Sequence, residues 1–388
     1  MKILTFGHIP TWAGGLQEQG LANVIYNLGL YISHIENVEI KIAATDVFVD
    51  SLKVDNLEIL GWNKIKLLFH ALTNPILSIC FLQSLFIRKR YHKHNFNILN
   101  YFIKGLHLHR SIKRVKPDLL HLHCAHSLVY LPVIPNDVKI VITIHGTVGN
   151  DSEIEYHDEY ALFEKELCHC DRIKQIYFIA SNLIKEFEDS YNGIDIPTKV
   201  ILNAYNSDNF FYIEPNEHNN IHLCTIATIQ PRKGQCRVID ALTKTNCNYL
   251  YSCIGYSENS ELDIFNTSKC NVMYHGRKSP QEIRNFLANI DYMILPSSSE
   301  GFGLVYLEAI ACGVPVILPK NLPIVQEEGI IKPGENAILL EDCSSDAIAV
   351  LLPKLKEYNF NHRDVANSIV NYSWENIAKE YVESFRKL

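Results

Sequence analysis

Apolar residues recur along the chain in short runs, each followed by a Gly-, Ser- or Asn-bearing loop and then a stretch of helical spacing. KILTF predicts a strand and GHIPTWAGGLQEQG a loop. Leu21, Val24, Ile25 and Leu28, at i, i+3, i+4 and i+7, predict the buried stripe of a helix. VEIKIAAT, PDLLHLH and KIVITIHG predict further strands. Residues 151–188 follow a helical pattern broken by strand-like QIYFIAS, and VILNAYNSDNF reads as strand, turn and crossover. IHLCTIATI then predicts a strand, QPRKGQ its loop and CRVIDALTKT a helix. YLYSCIG and NVMYHG predict two more strands. SPQEIRNFLANI predicts a helix opened by a capping box of Ser279 and Glu282. DYMIL, ended by Pro296, predicts a buried strand; SSSEGFG is a loop, and LVYLEAIAC a short helix stopped by Gly313 and Pro315. VPVIL is the next strand, and SWENIAKEYVESFRKL a final amphipathic helix.

Strand, loop and helix repeated this often predict α/β architecture, with parallel sheets covered on both faces. A length of 388 residues exceeds one ordinary core and predicts two domains, 1–205 and 206–373, with the change falling near 205–218.

Composition narrows the class. Hydrophobic content of 47% and charged content of 20% are those of a globular protein. Eleven Cys without framework spacing read as reduced thiols. MKILTF opens directly on a strand, so no export signal is expected and the compartment reads as cytosolic. The net charge of −7 is unevenly spread. From Ile59 to Pro117 there is no Asp or Glu, yet there are eleven cations: Lys64, Lys66, Arg88, Lys89, Arg90, Lys93, Lys104, Arg110, Lys113, Arg114 and Lys116. Within that run ILSICFLQSLFI, too short to span a bilayer, is followed at once by RKRYHKH. An apolar segment flanked by cations predicts peripheral contact with an anionic membrane, at its inner face. Nucleic acid is disfavoured, because the whole chain is acidic and carries no recognition motif.

Four places carry candidate chemistry. The loop with Gly14 and Gly15 lets backbone approach a ligand closely, but it is neither a G-x-G-x-x-G fingerprint nor a P-loop. Glu300 in its loop and Glu308 on the following helix can face one ligand, with a phosphate held by the helix start between them. The plain alternative is that Glu300 caps the helix and Glu308 is a solvated surface residue. Arg232 and Lys233 in PRKG supply cations. His145, at the end of the strand KIVITI, can donate to a sugar hydroxyl. HLHCAH approaches a metal-hydrolase motif, but Ala125 stands where that motif needs an Asp, and strand alternation explains the spacing.

The run E-G-F-G-L-x-x-x-E-A-x-A-C-G-x-P-V, Glu300 to Val316, resembles the E-x7-E signature of glycosyltransferase family 4, of the bacterial surface-polysaccharide type. The resemblance implies the GT-B fold, two Rossmann-like parallel-sheet domains facing a deep cleft. The first would bind the acceptor and be completed by the helix 374–388; the second would bind the nucleotide sugar. It implies a retaining transferase with Glu300, His145 and Lys233 as catalytic residues. The donor would be held by Gly15, Arg232, Lys233, Arg277, Glu300, Gly301, Phe302, Gly303, Leu304 and Glu308. Glu308 would take the ribose, the backbone around Gly303 with Glu300 the sugar, and Lys233 with Arg232 the diphosphate. Thr228 stands where the family has an Arg, which leaves Arg232 to replace it. No metal or other cofactor is implied, and UDP is favoured over GDP in the donor. The acceptor would be a glycan or lipid-linked glycan. A UDP-sugar epimerase of the same fold, and a non-catalytic donor-binding partner subunit, are the alternatives.

Overall fold

A computed structural model describes residues 1–17, 20–89, 96–148, 157–216, 220–246, 248–257 and 271–388. It divides into two units, Met1–Leu202 with Glu375–Leu388, and Asn203–Trp374.

The first unit is built on β1 (Lys2–Gly7), β2 (Glu39–Ala44), β3 (Ser51–Val54), β4 (Leu57–Leu60), β5 (Leu119–His123), β6 (Lys139–Ile144), β7 (Ile173–Phe178) and β8 (Thr198–Val200). They form one sheet in the order β3-β4-β2-β1-β5-β6-β7-β8, parallel except for the β3–β4 hairpin. Every residue of β5, and all of β6 after Lys139, is buried, as a sheet covered on both faces requires. The predicted first helix is Gly20–Ile32. The basic stretch folds as three helices, Lys64–Thr73, Pro75–Lys89 and Ile98–Val115; Arg90 and Lys93 lie outside the described residues, as do 151–156. The final helix, Trp374–Phe385, buries Tyr381 and Phe385. Tyr381 bonds Thr143 on β6 at 3.3 Å, and Ser384 bonds Tyr177 on β7 at 2.8 Å.

The second unit has β9 (His222–Ile226), β10 (Leu250–Ile254), β11 (Asn271–Tyr274), β12 (Tyr292–Ile294), β13 (Val316–Pro319) and β14 (Ala337–Leu340), all parallel, in the order β11-β10-β9-β12-β13-β14. Its core closes around Leu223, Val238, Tyr251, Ile294, Ile317 and Leu352. The capping box forms: Ser279 accepts from the backbone of Glu282, and the Glu282 carboxylate accepts from the backbone of Ser279 at 2.8 Å. The strand expected within VILNAYNSDNF lies earlier, at Thr198–Val200. Beyond it, Asn206 Oδ1 accepts from Asp208 N and Asn209 N at 3.0 and 3.1 Å, a side-chain turn that competes with the sheet.

Candidate active site

In the second unit the strand order reverses between β9 and β12, so the loops that leave their carboxyl ends open side by side. The loop after β9 carries Arg232 and Lys233; the loop after β12 carries Glu300. Lys233 Nζ donates to Glu300 Oε1 at 2.6 Å, with the two side chains 14% and 11% exposed. Arg232 crosses between the same loops, its Nη1 on the Ser299 carbonyl at 2.6 Å and its own carbonyl accepting from Ser298 N at 3.0 Å. Here the guanidinium of Arg232 is spent on backbone, whereas Lys233 meets a carboxylate. Gly234, at φ +83°, allows the approach, because a Cβ there would lie 2.8 Å from the Pro296 carbonyl oxygen. Arg237, which the sequence reading passed over, donates to that same carbonyl. It stands four residues after Lys233, one helical turn on, and that spacing was the available signal.

Glu300 turns toward Lys233 and does not cap the next helix. The cap is Gly303, at φ +87°, and no side chain caps Leu304–Ala311. A Cβ on Gly303 would sit 2.6 Å from the Tyr306 ring, so glycine is needed both for its backbone angle and for space. Tyr306 N turns back to the Gly303 carbonyl at 3.0 Å, so the N–H groups before it and the positive end of the helix dipole are left to a ligand. Gly301 is exposed and Phe302 is buried at the base of the loop. Glu308 stands in the second turn, half-buried, and burial pushes its carboxyl up to about 7. Among the described residues no group bonds its carboxylate. Lys233, Glu300 and the backbone of 301–304 thus come together, with Glu308 on the helix that follows. Arg277 is elsewhere: it follows edge strand β11 and stacks over the Tyr256 ring, 4.2 Å from its centroid.

In the first unit Gly15 donates its N–H to Pro10 O at 3.0 Å, and a Cβ on it would lie 2.0 Å from the Ile9 carbonyl oxygen. Its N–H is used inside the loop, and its smallness is a packing need. The loop is fixed by a residue that no motif marked. Asp46 accepts from Ile9 N at 3.2 Å and Leu16 N at 2.9 Å. Burial works against the charge on Asp46, but the His8 ring and those two N–H groups outweigh it and hold its carboxyl below the usual range.

His145 follows β6 and meets His123 of β5, Nε2 to Nδ1, at 2.9 Å. Burial lowers His145 to about 3, so the ring is neutral, and its Nδ1 has no partner among the described residues. The next residues are held by buried Glu164, which accepts from Thr147 Oγ1 at 2.6 Å, Val148 N at 3.1 Å and the Tyr191 hydroxyl at 2.7 Å. His121, on the same face of β5 as His123, bonds Thr143 at 2.7 Å. The alternating histidines of HLHCAH serve the sheet and position His145.

Comparison with known proteins follows the same lines. Residues 206–370 match the family model for glycosyl transferases group 1. An uncharacterized glycosyltransferase of Methanocaldococcus jannaschii is 26% identical over 284 residues, 70% of this chain and 75% of its own. The O-antigen biosynthesis glycosyltransferase WclY of Escherichia coli is 26% identical over 226 residues, 55% of this chain, which spans 61% of that relative's length. Among solved structures, sucrose-phosphate synthase from Thermosynechococcus elongatus superposes with a TM-score of 0.75 at 15% identity, over 100% of this chain and 99% of its own. Anabaena HepE, in complex with UDP-glucose, gives 0.66 at 13%, over 100% of both chains. The chain therefore has the GT-B fold, and the stretch of its second unit that carries Lys233, Glu300 and Glu308 lies within the match to the group 1 glycosyl transferase model.

Proposed function

We propose that this protein moves a sugar, with retention of configuration, from a nucleotide diphosphate to a glycan or lipid-linked glycan in cell-surface polysaccharide synthesis. The observation that carries the reading is the Lys233–Glu300 pair set against an uncapped helix start, with an unpaired Glu308 on the same helix. As the anomeric C–O bond breaks, charge grows on the departing diphosphate. Lys233 and the N–H groups at Gly303 and Leu304 answer that charge. Glu300 accepts from the sugar hydroxyls and Glu308 from the ribose hydroxyls. The acceptor oxygen bonds to the same face of the sugar and passes its proton to the leaving phosphate oxygen. In the first unit, His145 offers a neutral imidazole to a sugar hydroxyl. The O-antigen relative supports the pathway class, and the UDP-glucose bound by HepE supports a UDP-sugar donor.

The test is a thermal-shift panel of UDP-, GDP- and ADP-sugars, followed by turnover. A ligand at about 100 times its Kd stabilises the fold by about 2.7 kcal/mol, a shift that is easily read. The expected result is stabilisation by a UDP-sugar, slow release of free sugar without acceptor, a product with the donor's anomeric configuration, and activity that persists in EDTA. Stabilisation by none of them would overturn the reading. Conversion of a UDP-sugar to its epimer would make it an epimerase, and binding without turnover a donor-binding subunit.

A further inference from the structure

The helices Lys64–Thr73 and Pro75–Lys89 each carry an apolar stripe on the outside as well as apolar residues on the inside. On the first, Ile65, Leu68, Phe69 and Leu72 recur at i, i+3, i+4 and i+7, and all four are exposed, Ile65 by 78%. On the second, Ile76, Ile79, Phe86 and Ile87 form a stripe of the same period and are also exposed, Ile76 by 78%. The inward faces already have their own apolar residues, Leu67, Phe81 and Leu85, buried beside His70 and Ser78. The outward stripes are therefore apolar surface in excess of what the core uses, of the kind that marks an interaction site. The axes bend by 104° at Asn74, and among the described residues no single helix is long and apolar enough to cross a membrane.

The charges around this surface select its occupant. Fewer cations are available than the acid-free run suggests. Asp50 takes Lys66 and Arg110 at 2.9 Å each, Glu58 takes Arg114 at 2.5 Å, and Glu166 takes Arg88 through two bonds of 2.8 and 2.7 Å. Exposed Lys64 and Lys89 remain, one at each end of the helix pair, and no carboxylate among the described residues pairs with either. The surface is thus apolar in the middle, cationic at both ends and free of acid along its length. A second copy of the chain would bring lysine against lysine. A sheet of phosphate-bearing amphiphiles satisfies both features at once.

We propose that the helices Lys64–Thr73 and Pro75–Lys89 lie on an anionic lipid bilayer, with their outward stripes among the acyl chains and Lys64 and Lys89 at the headgroups. Burial of the apolar stripes supplies most of the binding, and the two lysines supply the preference for anionic lipid. The surface belongs to the first unit and Lys233, Glu300 and Glu308 to the second, and vesicle binding is read without nucleotide, so it stands or falls independently of sugar transfer.

The test is co-sedimentation of the full chain, without nucleotide, with vesicles of phosphatidylcholine alone and with added phosphatidylglycerol. The triple variant Leu68→Ser, Phe69→Ser, Leu72→Ser changes only exposed side chains, and circular dichroism melting checks that it folds. A second variant, Ile76→Ser with Ile79→Ser, covers the other helix. Wild type is expected in the pellet with phosphatidylglycerol vesicles, and each variant should bind at least about tenfold more weakly, the equivalent of ~1.4 kcal/mol. Wild type in the supernatant with both vesicles would overturn the proposal. So would equal pelleting of wild type and both variants. Concentration-dependent dimerisation of wild type, abolished by the variants, without vesicle binding would assign the surface to a second copy.

Discussion

Lys233 and Glu300, 67 residues apart in sequence, share one ion pair in which Nζ lies 2.6 Å from Oε1. In the proposed mechanism the cation that meets the phosphate and the carboxylate that meets the sugar therefore hold each other in place. Removing either disturbs both roles. Lys233→Ala and Glu300→Ala are each expected to lower kcat by about 100- to 1,000-fold, the usual cost of losing one transition-state contact. The double variant should lose less than the product of the two, because the pair acts as a unit. Steady-state rates on the donor identified by thermal shift decide it. Near-wild-type kcat in either single variant removes that residue from the mechanism.

Glu308 makes donor affinity depend on pH. Burial pushes its carboxyl up to about 7, and in the proposed ribose role a carboxylate accepts hydroxyls best when ionised. A UDP-sugar, whose phosphates carry no proton between pH 6 and 8, should bind about tenfold more tightly at pH 8 than at pH 6, a difference that follows from a group titrating at 7. Calorimetric titration measures this, and Glu308→Gln should bind weakly with a flat profile. A flat wild-type profile would refute the ribose role. The same shift has a stability signature. The folded carboxyl holds its proton more tightly than the unfolded one, so Glu308 contributes stability that is lost as pH rises from 4.5 towards 7, and Glu308→Gln should remove that contribution.

The buried histidines act in the opposite sense. Burial lowers His121 and His145 to about 3 and His126 to about 4, below the ordinary 6.5. The unfolded chain therefore binds more protons between those values, and stability is lost as pH falls below 6.5. Urea midpoints at pH 7, 6 and 5 should decline steadily, and the His145 ring should show no proton uptake above pH 5 by NMR. A His145 titration near 6.5 would show that the ring is solvated, against the burial described above.

Asp50 limits the positive charge beside the exposed helices. Lys66 and Arg110 hold its carboxyl down to about 2, so mild acid does not release them. Asp50→Asn should. The variant is expected to bind phosphatidylglycerol vesicles more tightly, by about fivefold for each cation that reaches the lipid, or ~1 kcal/mol. It should also respond more steeply to salt. Unchanged binding would mean that these cations stay on other partners.

The parallel sheets were legible because their strands are uniformly apolar runs closed by Gly, Ser or Pro, as in DYMILP. The edge hairpin of Ser51–Val54 and Leu57–Leu60 was not. Each strand has four residues, and the sole cue was Asp55-Asn56, where Asp55 takes a φ of 49°. Asp46 was invisible for a different reason. Its partners Ile9 and Leu16 are 37 and 30 residues away, and nothing local distinguishes it from a surface acid. Helical spacing likewise marks Ile65, Leu68, Phe69 and Leu72 as one stripe, but only the fold shows that nothing among the described residues covers it. Of the candidate donor residues, the continuous segment around Gly303 was readable, since its spacing is local. That Lys233 meets Glu300 depends on the reversal of strand order, a property of the whole sheet.

The helix that buries Tyr381 and Phe385 against β6 and β7 is made after residues 203–374, yet it belongs to the unit whose sheet precedes them. During synthesis the first unit therefore waits for residues 203–374, a delay of roughly 10 to 35 s at about 5–20 residues per second. Until then the surface around Thr143 and Tyr177 has no cover. The second unit, whose residues are contiguous, can close before the first is complete. The second unit is thus synthesised whole before the first can be completed, and residues 375–388 act as a latch on a unit begun before it.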